Sequence, residues 1–401
     1  MLSSSRFRSA LHPIGIFFNN KKVVYCTYFL LALIVTLKQY HNHSFNNYLI
    51  FKYCYVHAVN HLNLYTTYAE YNDSSHYGPF FSLLIAPFAL LPDFIGMLLW
   101  QFTNTAFLLW AITKLPLKEN QTIAVLWICA HELLTALFSF QVNPGITAMI
   151  ILSYVFIREK KDLWAALMIM LGTFIKLYGI VGLAFFFFSK QKPKFIMYSV
   201  LWAVAFFVLP MFFFSPDYIL NMYGEWYYSL SKKNMLNASL TSYQDISVMG
   251  MARRMLQNIS IPNLPFIVVG LLIFLLPYAR IRQYKHTGFQ CMLLASTLLF
   301  PVLFSTGSES PTYIIAFAGV AIWFIIQPKK TSWQIFLFCL AIVLTSLSPS
   351  DLFPKYLRDN YVKYYALKAL PCLLIWLTLI FEMIKNDFSK YPITLNTAEH
   401  E

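Results

Sequence analysis

Charged side chains are scarce in this 401-residue chain: Asp, Glu, Lys and Arg make up only 12% of the residues, whereas 58% are hydrophobic. Soluble domains usually carry about 25% charged residues, and a water-soluble fold of this length could not bury so much apolar surface. A bilayer can accommodate it, because one membrane span needs only about 20 apolar residues. The composition therefore excludes an ordinary soluble protein and predicts an all-α, polytopic transmembrane helical bundle.

The motifs of many nucleotide- and metal-dependent proteins are also missing. The sequence has no glycine-rich phosphate loop, no zinc-type spacing of Cys and His and no long basic tail. The net charge of +13 therefore does not indicate a nucleic-acid partner, because Lys and Arg concentrate in the cytoplasmic loops of membrane proteins. We expect no cofactor and no metal. The six cysteines are scattered and typical of small buried hydrophobic residues, not of a disulfide framework.

Neither a cleaved signal peptide nor an internal repeat is evident. The first long apolar run begins at Val23 without a small-residue cleavage site, which predicts a retained first span. We divide the chain into a cytoplasmic segment over 1–22, a single transmembrane domain over 23–384 and a cytoplasmic tail over 385–401. The missing inverted repeat argues against many secondary-transporter folds.

Apolar segments recur along the whole chain and predict about twelve crossings. If each segment crosses once, the basic clusters between alternate segments all lie on one face, so we expect both termini to be cytoplasmic. The piece 79–92, bounded by two prolines, is predicted to be re-entrant or interfacial. The segments are 23–37, 79–113, 121–140, 145–157, 162–175, 177–188, 195–214, 263–279, 288–305, 311–327, 333–348 and 366–384.

The first external loop carries carboxylates that could act as a general base. Glu70 and Asp73 precede His76 and Tyr77, and transfer of a group to a hydroxyl requires a base that removes the acceptor proton. We predict Asp73 as this base, with Glu70 second. Each carboxylate has an alternative interpretation as a solvated surface charge.

Two groups of cations lie on the side of the membrane where cations are uncommon. Lys176, followed by Tyr178, sits near the outer face, and Arg253 and Arg254 lie in the predicted external loop 215–262. Because these positions break the positive-inside pattern, we predict that they bind a phosphate. Snorkelling of Lys176 and contact of the arginines with lipid headgroups are the alternatives.

Further polar groups lie at the external ends of spans or within them. Gln141 and Asn143 could donate hydrogen bonds to a sugar or a phosphate, and Glu309 stands before an apolar segment whose N-terminus favours a carboxylate. His131 and Glu132 lie inside a span, where they either pack two helices together or line a polar cavity.

Four sequence runs resemble a known family. They are NNYLIFKYCYVHAVNHLNLY, HYGPFFSLLIAPFALLPDFIGMLLW, QVNPGITAMIILSYVFIREKKDLWAALMIMLGTFIKLYG and SESPTYIIAFAGVAIWF. With these runs the chain resembles, from about Asn46 to Tyr313, the polytopic glycosyltransferases of family 87 in the GT-C class. The run with Lys-Leu-Tyr after a small-residue helix is the most specific.

The resemblance implies inverting transfer of a sugar, mannose or arabinose by analogy, from a polyprenyl-phosphate carrier. The acceptor would be a glycolipid or glycan outside the cytoplasm, and the setting a bacterial inner membrane. The family usually carries Asp-Phe-x-x-Tyr in its first external loop, with the aspartate as base. Here Asn47 stands at the aspartate position and Phe51 at the tyrosine position. We expect Asn47, His76, Tyr77, Gln141, Asn143 and Glu309 to orient substrate.

Two alternatives stay open at this point. A transporter or flippase for polyprenyl-linked glycolipids would carry its charges at mid-bilayer depth, whereas the candidate residues here cluster near external span ends. A non-catalytic scaffold would keep the fold and lose the base, and Asn47, which is no base at neutral pH, is the residue that favours it.

Overall fold

The computed structural model describes residues 17–242 and 244–391. Most of the predicted N-terminal segment 1–22 and of the predicted tail 385–401 therefore lies outside the described residues.

The described part of the chain is all-α and contains 17 α-helices, together with short 3-10 and π-helical segments. The α-helices are α1 Lys21–His41, α2 Asn46–Val59, α3 Phe81–Ala89, α4 Asp93–Thr113, α5 Glu119–Phe138, α6 Asn143–Arg158, α7 Asp162–Ile175, α8 Lys192–Val208, α9 Met211–Phe214, α10 Pro216–Asn237, α11 Val248–Met255, α12 Asn263–Leu275, α13 Thr287–Leu303, α14 Tyr313–Ile325, α15 Ser332–Leu340, α16 Lys355–Leu357 and α17 Ala369–Lys385. A 3-10 helix, Leu177–Phe188, follows α7.

Within residues 17–242 and 244–391, four helices are long and apolar enough to cross a bilayer: α1, α4, α5 and the continuous pair α8–α9, Lys192–Phe214. The same described ranges contain seven shorter apolar helical stretches, of 10 to 17 residues. The chain is thus an integral, multi-pass membrane protein. The count of about twelve crossings stays a prediction.

The interior of the bundle is formed by helices that are apolar on every side. Residues 313–323 of α14 are all buried, and α13 and α6 are almost completely buried. A helix that is hydrophobic all round must be covered by protein or lipid on every face. Here protein covers it, because α14 packs against α5, α6 and α13.

The apolar stretch 79–113 is divided into α3 and α4 at Pro92, which directly precedes α4. Proline restricts the residue before it to extended backbone and lacks an N–H, so helices commonly end before it. With nine residues, α3 is only about 14 Å long and cannot cross the hydrocarbon core. Its interfacial or re-entrant placement remains a prediction.

The segment 215–262, which we predicted as a loop, is largely helical. It contains the 22-residue α10 and the shorter α11. The prediction missed α10 because its residues are polar and aromatic in mixture, without a clear apolar run. Pro216 in its first turn is compatible with a helix start.

The chain alternates between two ends of the bundle. Helix α5 starts after Lys118 and ends before Gln141, α6 returns to Arg158, and α7 comes back to Lys176. Gln141 and Lys176 therefore share one end, and the basic residues near 118 and 158 share the other. The end that holds Gln141 and Lys176 also contains the cavity described next.

Candidate functional site

A cavity of about 480 Å³ lies at this end of the bundle. It is bounded by the first turns of α2, the loop before α3, the α7 terminus, α10 and the segment after α13. Eight of the predicted site residues line it: Asn47, Asp73, His76, Tyr77, Gln141, Lys176, Tyr178 and Glu309.

The loop that carries Asp73 and His76 is held at both of its ends. Asn46, in the first turn of α2, exchanges two hydrogen bonds with the backbone of Asn72, at 2.8 and 2.7 Å. At the other end the Gly78 amide donates to the Ile175 carbonyl, 3.2 Å away. A Cβ at Gly78 would lie 2.2 Å from the Phe174 carbonyl oxygen, so only glycine allows this loop to contact the end of α7.

Asp73 and Glu70 have different surroundings. Asp73 adopts a left-handed backbone conformation, φ 74°, which aspartate tolerates better than most residues. Its side chain lines the cavity and lies 3.3 Å from Lys233 Nζ. Glu70 is exposed and does not line the cavity. Of the two predicted bases, only Asp73 is in reach of a substrate bound there.

His76 lines the cavity next to α10. Its Nδ1 lies 2.8 Å from Ser229 Oγ, and its backbone carbonyl accepts a hydrogen bond from Trp226 Nε1 at 2.9 Å. The Nε2 atom is buried and has no partner among the described residues. Burial, followed by the nearby Lys233, lowers the pKa of His76 to about 4, so the ring is neutral at pH 7.

Lys176 is placed by a tight connection between α7 and the following 3-10 helix. A Cβ at Gly179 would lie 2.3 Å from the backbone of Gly172 and Thr173, so glycine permits the two segments to touch. The Lys176 ammonium donates to Asn143 Oδ1 at 2.9 Å and lies 4.8 Å from the centre of the Tyr178 ring. Burial lowers the pKa of Lys176 to about 8, with Glu309 opposing the shift.

The charge of Lys176 is not neutralised by an ion pair with any described residue. Its closest hydrogen-bond partner is a neutral amide. A half-buried ammonium of this kind is available to an anionic ligand, and its pKa leaves it mostly protonated at pH 7.

A chain of amides connects Lys176 to Glu309. Asn143 donates to Gln141 Oε1 at 2.5 Å, and Gln141 donates to Glu309 Oε2 at 3.1 Å. Asn143 also donates to the Pro311 carbonyl at 3.0 Å. It is buried and does not line the cavity. Three separate predicted groups thus form one polar network, in which Asn143 orients the other members.

Arg253 and Arg254, the other predicted phosphate ligands, do not line the cavity. Arg253 is 2% exposed and forms a buried ion pair with Asp245. It also donates to the Ile261 carbonyl at 2.9 Å and to Asn263 Oδ1 at 2.7 Å. Arg254 donates to the Lys363 carbonyl at 3.2 Å. These contacts connect α11 with neighbouring segments.

One face of α10, which the sequence interpretation missed, forms a wall of the cavity. Its residues recur at helical spacing: Trp226, Leu230, Lys233, Asn234 and Asn237. Asn237 donates to the Thr306 carbonyl at 2.9 Å, and its buried Oδ1 has no described partner. One feature of the sequence could have pointed to this helix. Residues 232 and 233 are both lysines in a segment predicted to be external, where cations are uncommon, as they are at Lys176.

The polar pair inside α5 lies apart from the lining of this cavity. Glu132 is fully buried and its two carboxylate oxygens lie 3.2 Å from Lys368 Nζ. His131 Nδ1 lies 3.1 Å from Ser346 Oγ. These contacts favour the interpretation that the pair joins helices. Within the described ranges, no group of three or more His, Cys, Asp or Glu side chains could hold a metal ion.

The fold and the site together define a multi-pass membrane protein with a polar, cation-bearing cavity at one end of its helical bundle. The model of glycosyltransferase family 87 matches residues 76–306, more than half of the chain, and the protein belongs to that family. The match confirms the resemblance and leaves Asn47, Glu70 and Asp73 outside the matched residues. No curated protein matches the sequence.

Proposed function

We propose that the protein transfers a sugar from a polyprenyl-phosphate carrier to a hydroxyl of a lipid or glycan on the non-cytoplasmic face of a bacterial inner membrane. Family membership makes it a glycosyltransferase. The orientation is supported by the basic clusters at the opposite end of the bundle from the cavity. The whole of 23–384 serves as one transmembrane domain, with both termini in the cytoplasm.

The proposal rests on a single observation: Lys176 borders the cavity, and no ion pair with a described residue neutralises its charge. A polyprenyl phosphate leaves with negative charge, and a fixed cation in a partly desolvated site stabilises charge that develops there. Lys176 is held by Asn143 at 2.9 Å and flanked by Tyr178. The ammonium binds phosphate oxygens, and the Tyr178 hydroxyl, which donates to Ser305 Oγ at 3.0 Å in this structure, turns to a phosphate oxygen when the donor binds. No metal is needed for a monophosphate leaving group.

Asp73 removes the acceptor proton. The acceptor oxygen attacks the anomeric carbon of the sugar, the bond from that carbon to the phosphate oxygen breaks, and its electron pair leaves with the polyprenyl phosphate. The acceptor proton moves to the Asp73 carboxylate, so charge balances, and attack opposite the leaving group inverts the anomeric centre. Glu70 is exposed and outside the cavity lining, which makes it the weaker candidate.

The sugar is oriented by aromatic rings and unpaired acceptor atoms. Trp226 and Tyr77 line the cavity and offer apolar faces to a sugar ring. His76 Nε2 and Asn237 Oδ1 lack partners among the described residues, and buried acceptors of this kind are costly unless a ligand donates to them. The neutral state of His76 makes Nε2 a hydrogen-bond acceptor when Nδ1 carries the proton.

Asn47 supports one rival, a non-catalytic protein with this fold. Its Nδ2 donates to the Ser139 carbonyl at 2.8 Å, and it lines the cavity. An amide cannot remove a proton at neutral pH. The enzyme interpretation thus depends on Asp73, which lies elsewhere in the same cavity.

The test is the matched pair Asp73→Asn and Glu70→Gln, two isosteric changes three residues apart in one loop. The assay uses purified protein in lipid, radiolabelled polyprenyl-phosphate sugars and a membrane lipid extract. A general base contributes about 10²- to 10⁴-fold in rate, so we expect Asp73→Asn to lose this much of kcat while Glu70→Gln retains wild-type turnover.

A third variant, Asn47→Asp, separates the rivals. If the wild-type protein binds donor without turnover and Asn47→Asp gains turnover, the natural protein is non-catalytic. Undiminished kcat in Asp73→Asn would contradict the assignment of the base.

A further inference from the structure

A second cavity, of about 320 Å³, adjoins the first. Gln244 and Glu309 line both cavities. The two cavities thus adjoin at these two side chains. This arrangement suits a reaction that joins two substrates, because the reacting groups must be held in contact.

The walls of the second cavity combine cations with hydroxyl and apolar groups. Arg358 and Lys363 contribute positive charge, Ser310 and Ser348 are polar, and Val362 is apolar. Such a lining fits a headgroup that bears both hydroxyls and a negative charge.

Arg358 is available to an anionic ligand although it already contacts carboxylates. Its partners are Asp351, at 3.3 Å and fully exposed, and Asp359, at 3.2 Å and about one-third exposed. The carboxylates reach solvent although Arg358 itself is 14% exposed, and ion pairs with solvent-exposed partners contribute only about 0–1 kcal/mol, so a ligand phosphate can replace them. Lys368 differs, because its ammonium is 3% exposed and already paired with Glu132.

The segment that forms this wall has an outer surface suited to the membrane interface. Leu352, Tyr356 and Tyr361 are exposed there, together with Lys355 and Lys363. Exposed aromatic and aliphatic side chains among basic residues are typical of the headgroup level of a bilayer. A ligand of the cavity behind them would be membrane-borne.

We propose that the second cavity binds the acceptor, the anionic and hydroxyl-bearing headgroup of a membrane lipid, with its reacting hydroxyl directed toward Glu309 and the first cavity. Arg358 contacts the phosphate of this lipid, and Val362 packs against its apolar part. Glu309 accepts a hydrogen bond from a second hydroxyl of the headgroup, so the proton of the reacting hydroxyl is left for Asp73 in the first cavity. The inference rests on the proposed function, since it assigns the second substrate of that reaction.

The experiment measures binding and not turnover, so it does not depend on knowing the sugar. Detergent-purified protein is titrated with phosphatidylglycerol, as an anionic hydroxyl-bearing lipid, and separately with polyprenyl phosphate. Bound lipid is counted by native mass spectrometry. Phosphatidylcholine tests the need for net negative charge, and soluble glycerol phosphate distinguishes a lipid from a free phosphate source.

Val362→Trp fills the cavity and Arg358→Gln removes its charge, while Leu357→Trp places the same bulk at an exposed position on the same segment. We expect the first two variants to lower phosphatidylglycerol affinity by about tenfold or more, with unchanged binding of polyprenyl phosphate. Leu357→Trp should behave as wild type. Arg358→Gln decides the matter if Val362→Trp does not fold.

Unchanged phosphatidylglycerol binding in both folded variants, or equal binding of phosphatidylcholine, would overturn the assignment. Loss of polyprenyl phosphate from Arg358→Gln would overturn it as well, because the second cavity would then hold the donor. Failure of the proposed function is visible separately, as undiminished polyprenyl-phosphate binding by Lys176→Met.

Discussion

Lys176 and Arg253 look alike in the sequence and differ in the structure. Both were predicted to lie on the side of the membrane where cations are uncommon, and both were predicted to bind the donor phosphate. Lys176 borders the cavity with an amide as its partner. Arg253 is 2% exposed and committed to Asp245, a backbone carbonyl and Asn263.

The difference shows that an unusual position of a charge signals importance without saying of which kind. A buried cation needs a partner to offset its lost hydration. Where a carboxylate of the same chain supplies that partner, the cation stabilises the fold. Where the chain supplies only a neutral group, the charge is left for a ligand.

The largest expected effect follows from breaking the Arg253 pair. Arg253→Met leaves Asp245 buried without its partner, which typically costs about 3–5 kcal/mol. Thermal unfolding in detergent should show a strongly destabilised protein, and Asp245→Asn combined with Arg253→Met should recover part of the loss. If the Arg253→Met protein is instead stable and binds the donor more weakly, Arg253 is a ligand of the donor phosphate.

An intermediate effect is expected from Lys176→Met, which keeps the stem of the side chain and removes its charge. A charge-assisted hydrogen bond contributes about 1.5–3 kcal/mol, so polyprenyl-phosphate affinity should fall by roughly 10- to 100-fold. The melting temperature should stay near that of wild type. If Lys176→Met is strongly destabilised and its folded fraction binds the donor normally, Lys176 stabilises the fold, as Arg253 does, and does not bind the donor.

The smallest effect is expected from Lys233→Met. Lys233 also lines the cavity, but it already lies 3.3 Å from the Asp73 carboxylate, whose side chain is 54% exposed. Pairs of this exposure contribute about 0.2–1 kcal/mol, which corresponds to a change of a few-fold. Titration with polyprenyl phosphate should thus show a much smaller loss of affinity for Lys233→Met than for Lys176→Met. The reverse order would contradict the inference that a cation without a carboxylate partner contributes more to donor binding.

Much of the helical scaffold could be predicted, because runs of apolar residues bounded by basic residues directly indicate membrane helices. The predicted segments 162–175 and 177–188 coincide with α7 and the 3-10 helix, and 121–140 lies close to α5. The 3-10 geometry of 177–188 was not predictable from hydropathy. Helix α10 was missed, because a polar and aromatic helix has no strong periodic signal against which to detect it.

Eight of the residues that line the candidate cavity had been singled out from the sequence, for a related reason. Polar groups near span ends are expensive in a membrane, so residues such as Asp73, Lys176 and Glu309 stand out against an apolar background. The signal failed for Asn234 and Asn237. These lie in a polar helix where an amide is unremarkable, and only the folded structure places them in the cavity lining, where both contact Thr306.

By itself, the sequence determined that the chain is helical and membrane-embedded and where its unusual polar groups lie, because both depend on local composition. The tertiary structure alone decided which of these groups meet. Gln141 and Glu309 are 168 positions apart and joined by a hydrogen bond, whereas Glu70, three residues from Asp73, lies outside the cavity lining. Contacts of this kind arise from the packing of whole helices and the close approaches that glycines permit, and no local pattern encodes them.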